Sequence, residues 1–588
     1  MVDEAKETDK LDVNGGTIPK VKYKDPHTFL CSTRWRMAAY IFLSFAILYM
    51  HRVNLSLAIV CMVDTTHRDT TAVQINKSEI VNNYSIGHTM NSSEEQNSNY
   101  TPAFLSNASA GEKVTFTVEN EILTQNIERE CGSVISEENK DWTPELHWKK
   151  SEISFLLSSY FYGSFFTQIP AGTISDIFGG KHVITAAMLL STVCSLLTPI
   201  CARTSIILMF VVRITVGLAG GSVIPAGMSM INSWSTPNER SLMIAVGASG
   251  LLTGAIITFL TSGLLCAYGF DNGWASIFYI HGCITALFTC LWFFEGHSRP
   301  SHHPRISEKE LEYIETSRSH TINTKRPKTP WKRFLISKPQ WATFIAHFCF
   351  NWSFFTVLIN VPLFLKEVLK FDVKSNGLYS ALPFVFQIIS ALLCGKLSGV
   401  IIKRKIIGHL ATRRIFSTVC QLGIATCLVS AGYVSCEVRH IAVILLCLTC
   451  TFAGFAYGGF LINHPEYAGQ FAGTAFGITN AGGVISSLVA SMMAGLLTPN
   501  GLQEEWQRVF YMAAGINIVG AIAFVLCSDV YLQPWARNPE DLTIEVNTRE
   551  LQDIKPLDKE NDITASEMTP ELQEITPLNN GIGLSART

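Results

Sequence analysis

Apolar runs of about twenty residues recur along this chain, the length a helix needs to cross the ~30 Å hydrocarbon core of a bilayer. Twelve are read: 37–63, 151–174, 183–202, 205–231, 241–265, 274–294, 341–365, 375–402, 413–433, 439–462, 469–497 and 507–529. Only 16% of the residues are charged, against about a quarter in ordinary soluble domains, so these runs do not read as one large soluble core. Backbone polar groups in lipid must be satisfied within the segment, so the expected fold class is an all-α integral membrane protein. The first run is longer than a secretory core and has no small-residue cleavage site after a short core. It is expected to be a retained signal anchor.

A polar stretch divides the runs six and six. The expected organisation is an N-terminal tail 1–36, a six-helix bundle 37–294, a linker 295–340, a second bundle 341–532 and a tail 533–588. The first bundle carries a long polar loop, 64–150, and the acidic, Asn- and Thr-rich C-terminal tail reads as disordered. Both halves place a glycine-led basic turn after their second run, "GTISDIFGGKH" (172–182) and "GKLSGVIIKRK" (395–405). Two such halves in parallel repeat resemble the plan of the major facilitator superfamily, twelve helices in two six-helix bundles.

Two signals orient the chain. Lys181, Lys403, Arg404, Lys405, Arg413, Arg414 and the basic linker fall on one side, which the positive-inside rule makes cytoplasmic, with both termini. The loop 64–150 falls on the other side and carries five N-x-[ST] sequons, at Asn76, Asn83, Asn91, Asn99 and Asn107, expected to be glycosylated. Most of the sixteen cysteines lie inside apolar runs and read as small packing residues. Cys131, in the polar loop, has Cys436 and Cys266 as candidate partners.

Charges within the runs are few, and each costs roughly 2.5–3.5 kcal/mol on insertion scales. Arg52 lies fifteen residues from one end of its run and eleven from the other, ~23 Å and ~17 Å at helical rise, too deep to snorkel easily. Arg213 sits eight residues into the fourth run, about 12 Å deep from the loop side, where snorkelling competes with function. The bland reading of Arg52 is bonds to carbonyls of a neighbouring helix. Two guanidiniums without an intramembrane carboxylate nearby point instead to an anion site, which a substrate carboxylate or phosphate would fill. His281 and His347 read as packed, hydrogen-bonded histidines, and His464 and Glu466 as gate or surface residues at a turn. No phosphate-binding loop, metal-ligand spacing or catalytic triad occurs, so neither ATP-driven pumping nor enzymatic activity is expected. Neither a cofactor nor a nucleic-acid partner is expected. The partners are a small anion and the lipid bilayer, and the chain is read as a monomer.

The stretches "RVNLSLAIVCMV" (52–63), "SSYFYGSFFTQIPAGTISDIFGGK" (158–181), "NERS" (238–241), "WASIFYIHG" (274–282), "AHFCFNWSFFTVLINVPLFLKEVLKFDV" (346–373), "RRIFS" (413–417) and "EEWQRVFYMAAGINIVGAI" (504–522) resemble solute carrier family 17. That family includes sialin, the vesicular glutamate transporters and the sodium–phosphate cotransporters, and the look is closest to sialin. The resemblance implies alternating access of two bundles about a central anion site. Arg52 and Arg213 match the arginines that family members use for the substrate anion, and Tyr162 and Asn351 fall where other cavity-lining residues are expected. Asp176, Gly179, Gly180 and Lys181 match the superfamily loop that latches the bundles.

The chain also departs from the family. A glutamate that sialin and the glutamate transporters carry seven residues after the second arginine is Gly220 here, and the sialin-type glutamate three residues after it is Val216. The histidine and arginine of the glutamate transporters are replaced by Leu157 and Phe350, which argues against glutamate loading. The resulting expectation is a secondary active anion transporter for an acidic sugar, another organic anion or inorganic phosphate, coupled to H+ or Na+. It would reside in a lysosomal or vesicular membrane or in the plasma membrane. A channel-like anion conductance and a non-transporting sensor or scaffold are the alternatives.

Overall fold

In the structure, a computed structural model, residues 32–63, 144–236, 239–322 and 330–536 are described; the five sequons, Cys131 and the C-terminal tail beyond Ala536 lie outside them. Each expected span is a helix: α1 Thr33–Met62, α2 Lys150–Phe178, α3 Gly180–Thr204, α4 Ile206–Trp234, α5 Arg240–Tyr268, α6 Trp274–Glu295, α7 Lys338–Glu367, α8 Val373–Lys403, α9 His409–Gly432, α10 Cys436–Ala468, α11 Ala472–Leu497 and α12 Gln503–Cys527. The fold is all-α, with one isolated bridge between Val63 and Leu146.

Eleven of these helices are long and apolar enough to cross a bilayer. The exception, α2, has the length but is rich in serine, threonine and tyrosine. Ser154, Ser158, Ser159 and Ser164 each donate back to a carbonyl three or four residues earlier, which satisfies hydroxyls that would otherwise oppose insertion. A helix so composed belongs where it faces its neighbours and a polar path, and α2 packs against α4 in its own half and α11 in the other.

Two helices depart from regularity. Pro362 has no N–H to give the carbonyl of Leu358, and α7 opens there into a π-turn over Thr356–Asn360 before resuming at Val361. The glycine-rich end of α10 tightens into short 3-10 turns over Gly454–Tyr457 and Phe460–Ile462. The helices α1 and α7 are the most buried of the membrane helices, so the helix that carries Arg52 runs through the centre rather than along the lipid.

The halves meet chiefly through α2 against α11 and α5 against α8. The end of the molecule at which α1 finishes and α2 begins is here the loop end; the segment after α6 marks the opposite, linker end. Polar contacts between the halves gather at the loop end. Lys150 ion-pairs with Glu367, which also accepts from Trp506 Nε1 at 3.0 Å. Lys366 Nζ donates to the Val63 carbonyl at 3.2 Å, and Ser56 donates to the carbonyl of Ile359 in the π-turn. At the linker end Gly399, Gly473 and Gly477 face open space, and Phe166 and Phe178 are exposed. The described polar contacts between the halves therefore close the molecule at its loop end.

A disulfide between Cys61 and Cys266 joins the loop ends of α1 and α5. Cys266 is thereby excluded as a partner for Cys131, a correction to the sequence reading, and Cys436 is also disulfide-bonded.

At the linker end, helix Glu308–Ile322 docks on the start of α1. Glu310 accepts from Ser32 Oγ at 2.5 Å, Arg34 N at 3.0 Å and Thr33 N at 3.1 Å, satisfying N–H groups that the first turn cannot pair internally. Arg34 bridges onward to Glu239 at 3.0 Å. Burial pushes the Glu310 carboxyl up, but the bonds from Ser32, Arg34 and Thr33 and the Arg34 charge outweigh it and hold the group below its ordinary 4.5. A carboxyl so depressed adds stability above that value and loses it as pH falls through the folded one. Hydrogen exchange over 308–322 should accordingly stay slow from neutral pH to about 5 and accelerate only in stronger acid, whereas Glu310→Gln should exchange faster already at pH 7.

The loop-end closure gives a second expectation. Glu367→Gln leaves the part-buried Lys150 ammonium without its ion-pair partner, so a reporter cysteine at Ser56 should react several-fold faster with a membrane-impermeant maleimide from the loop side. An unchanged rate would mean that apolar packing alone holds this end shut.

Candidate functional site

The site is built around Arg52. It lies about 15 Å from the loop end of α1 at ~1.5 Å rise per residue, in the innermost helix, and its side chain is buried. The guanidinium carbon sits 4.1 Å from the centre of the Phe355 ring, 4.7 Å from Phe161, 5.2 Å from Tyr160 and 5.3 Å from Tyr49. Three of these rings belong to α1 and α2 of the first half, whereas Phe355 belongs to α7 of the second, at the edge of the π-turn. The charge thus sits on the seam between the halves.

An aromatic cage offsets part of the cost of the buried charge, each ring contributing about 0.5–2 kcal/mol. Rings do not satisfy N–H donors, however, and a buried unpaired donor costs about 1–3 kcal/mol. Arg52 Nε has no hydrogen-bond partner, and Asn360 Nδ2 in the adjoining π-turn is likewise buried and unpaired. Cation and donors left over in an aromatic pocket are the complement of an anion whose oxygens accept.

Arg213 is placed differently. Its Nη1 donates to the carbonyl of His51 at 3.1 Å and to Asn54 Oδ1 at 3.2 Å, so Arg213 ties α4 to α1 instead of snorkelling to the headgroups. The Nε of Arg213 is also unpaired. His51 Nε2 continues the chain to Thr285 Oγ1 of α6 at 2.7 Å. Both guanidiniums lie within electrostatic range of the Tyr160 phenol.

Asn351 donates through Nδ2 to the carbonyl of His347 at 3.0 Å and packs against Gly483 of α11. It shares a face of α7 with Phe355, one turn away. The Tyr162 hydroxyl reaches Met492 Sδ of α11 at 3.8 Å, across the seam but turned from the Arg52 cage. Asp176 lies in the last turn of α2, and Gly179 links α2 to α3 at φ +88°, a conformation that favours glycine. The Lys181 N–H donates to Ser298 Oγ at 3.1 Å and its ammonium stands over Phe293, both partners from the same half. His464, read from the sequence as a gate or surface residue, is buried against Thr479; Glu466 pairs with Arg413 at 2.5 Å and His409 at 2.8 Å.

Tyr160 escaped the sequence reading. A methyl group added at Gly220 would overlap its hydroxyl, so the phenol fills the space in which a side chain at 220 would begin. The loss of an acidic group at 220 and the presence of Tyr160 are one steric arrangement. A pairing of this kind has no local signal, because the residues are sixty positions apart on two helices. The π-turn did leave a signal, Pro362 inside an apolar run.

With fold and site in view, the class is defined: a transporter of the major facilitator superfamily, whose family model matches residues 139–490. Human sialin is 33% identical over 508 residues, covering 86% of this chain and 92% of that protein. Human vesicular glutamate transporter 2 is 32% identical over 70% of each chain. A Drosophila melanogaster relative described as a candidate inorganic phosphate cotransporter is 33% identical over 70% of this chain and 78% of that one. The chain belongs to the major facilitator superfamily and, within it, to solute carrier family 17, and is a multi-pass membrane protein. The fold is also that of a bacterial homologue of the human lysosomal transporter Spinster, with a TM-score of 0.56 at 12% identity over 86% of this chain and 99% of that one. The D-xylose–proton symporter gives a TM-score of 0.55 at 13% identity over 86% of this chain and 99% of its own.

The steric pairing is testable by a double-mutant cycle. Gly220→Ala should lower the thermal stability of the purified protein, overpacking costing about 1–3 kcal/mol. Tyr160→Phe, which removes the overlapped oxygen, should recover part of that loss, whereas strict additivity would show that the two positions do not touch.

Proposed function

We propose that this transporter carries anions by alternating access, and that Arg52 is the group that pairs with the substrate's negative charge. The carrying observation is the geometry of Arg52: a buried cation on the seam between the halves, caged by four rings, with an unpaired Nε. An anion there would touch α1 and α2 on one side and α7 on the other, so its binding would favour states in which the halves close around it. An acidic sugar or similar organic anion, such as a sialate, is the first substrate class and inorganic phosphate the second, with transport coupled to H+ or Na+. The absence of a side chain at 220 and the apolar residues Leu157 and Phe350 argue against glutamate. Arg213 holds α4 to α1 and contributes positive potential at the site.

The linker end is read as cytoplasmic, with both termini, and the loop end as luminal or extracellular. The disulfide Cys61–Cys266 supports this orientation, since disulfides persist on the oxidising side of a membrane. A lysosomal or vesicular membrane, or the plasma membrane, fits such a protein.

The test is counterflow in proteoliposomes with phosphate, sialate, glucuronate, glutamate and urate, each with and without sodium or a pH gradient. Arg52→Ala should reduce uptake of the transported anion to background while the protein still folds and reaches its membrane; normal uptake would sink the assignment. Arg213→Ala should lower thermal stability as well as uptake, because it leaves the Asn54 side chain and the His51 carbonyl without their donor.

A further inference from the structure

Away from the Arg52 cage, three helices of the second half bring two buried histidines onto one hydroxyl. His347 Nδ1 of α7 lies 3.1 Å from Thr479 Oγ1 of α11, and His464 Nε2 of α10 lies 2.9 Å from the same oxygen. His464 Nδ1 lies 3.0 Å from the carbonyl of Leu461, and the Thr479 oxygen lies 3.0 Å from the carbonyl of Phe476. We infer that His347, Thr479 and His464 form the proton-binding site of this carrier, and that the coupled ion is therefore H+. This rests on the reading of the chain as a secondary anion transporter.

The hydrogen-bond roles follow from the acceptors. A carbonyl can only accept, so His464 Nδ1 carries a hydrogen, and neutral His464 presents a lone pair at Nε2. The single Thr479 hydroxyl hydrogen, which can also go to the Phe476 carbonyl, then turns to His464 while the oxygen accepts from His347 Nδ1–H. The chain runs in one direction: His347 to Thr479 to His464 to Leu461.

A proton bonding at His347 Nε2 reverses the upper part. The His347 Nδ1–H bond breaks as its proton passes to Thr479 Oγ, and the original hydroxyl proton passes to His464 Nε2. The product is a neutral His347 protonated at Nε2, and a His464 imidazolium donating from both nitrogens. Thr479 then points its hydrogen back to His347 or to the Phe476 carbonyl. One proton is taken up, one N–H bond is gained, and the site has two discrete states.

The surroundings favour a single mobile charge. The rings of Phe460 and Phe476 pack on His347 at 5.7 and 5.9 Å, and Phe476 also packs on His464 at 5.4 Å. Tyr467, 6.3 Å from His464 by ring centres, gives its hydroxyl to Gln340 at 2.6 Å. Glu466, the nearest carboxylate in sequence, is engaged by Arg413 and His409. Asn463, buried beside the pair, has both side-chain polar atoms unpaired.

The position also suits coupling. His347, Asn351 and Phe355 recur at four-residue spacing on one face of α7, so the pair lies two turns, about 12 Å, from the ring that covers Arg52. Protonation would shift the ends of α10 and α11 against the helix that carries the anion site's second-half wall.

The test uses proteoliposomes and two readouts on each protein: anion counterflow at equal pH, and accumulation driven by a pH gradient. Wild type should do both. Thr479→Val and His464→Gln should continue counterflow but lose at least tenfold in gradient-driven accumulation, whereas Thr479→Ser, which keeps the hydroxyl, should recover it. Gradient-driven accumulation that survives in Thr479→Val and His464→Gln overturns the inference. So does accumulation by wild type that follows sodium and ignores pH. Loss of counterflow together with accumulation in both of these variants also overturns it, because the cluster would then serve packing or anion binding. Absence of anion counterflow in wild type would instead sink the transporter reading itself.

Discussion

A guanidinium about 15 Å inside a membrane helix cannot be left to lipid, and the architecture around Arg52 follows from that requirement. Its helix is buried on all sides at the middle of the molecule, which keeps the charge away from hydrocarbon. Tyr49, Tyr160, Phe161 and Phe355 then supply π-faces, which attract the cation without neutralising it. A carboxylate in their place would form a stable internal pair and leave an anion nothing to gain. The cage makes the site tolerable when empty and still favourable when filled.

Position on the seam turns that pairing into work. The cage is made by both halves, and the π-turn beside Phe355 also takes the hydroxyl of Ser56, one turn beyond Arg52 on α1. Helices α1 and α7 are the buried pair of the two halves, so the repeat has placed the charge on one and its adaptable backbone on the other. The loop-end seal of Lys150, Glu367, Lys366 and Val63 lies beyond them on the same two bundles. A rocking motion that opens this end must break those contacts while it reshapes the Phe355 side of the cage. On the proposed reading, substrate binding and closure would be exchanged across one set of helices.

Sequence pattern carried the architecture a long way. Apolar runs and their polar interruptions located every membrane helix, though not the helix Glu308–Ile322, and the depth of Arg52 singled that residue out, because each is a local property of the chain. Even α2, too polar for a strict hydropathy criterion, was legible from its aromatic and serine-rich composition. What escaped was pairing at a distance. The overlap of Tyr160 with position 220, the disulfide between Cys61 and Cys266, and the burial of His464 against Thr479 all depend on which helix faces which. Arg213 shows the same limit from the other side. Its depth predicted a role but could not say that its Nη1 is taken by the His51 carbonyl and the Asn54 side chain of α1.

The contrast between the two arginines carries a physical consequence. A guanidinium held through one nitrogen by a helix carbonyl and an asparagine, as Arg213 is, has fewer hydrogens left for a substrate and would act on it more through its field, which weakens smoothly with distance. One with an unpaired donor in an aromatic pocket acts through directed bonds, which select by shape and by the number of accepting oxygens. On the proposed anion-carrier reading, specificity among anions would fall to Arg52, Tyr160 and the π-turn, while Arg213 would add to the positive field. With Tyr160 filling the space at Gly220, no carboxylate extends from that position into the cage. Proton exchange in such a design needs other groups, and the second half of the molecule offers two histidines on one threonine.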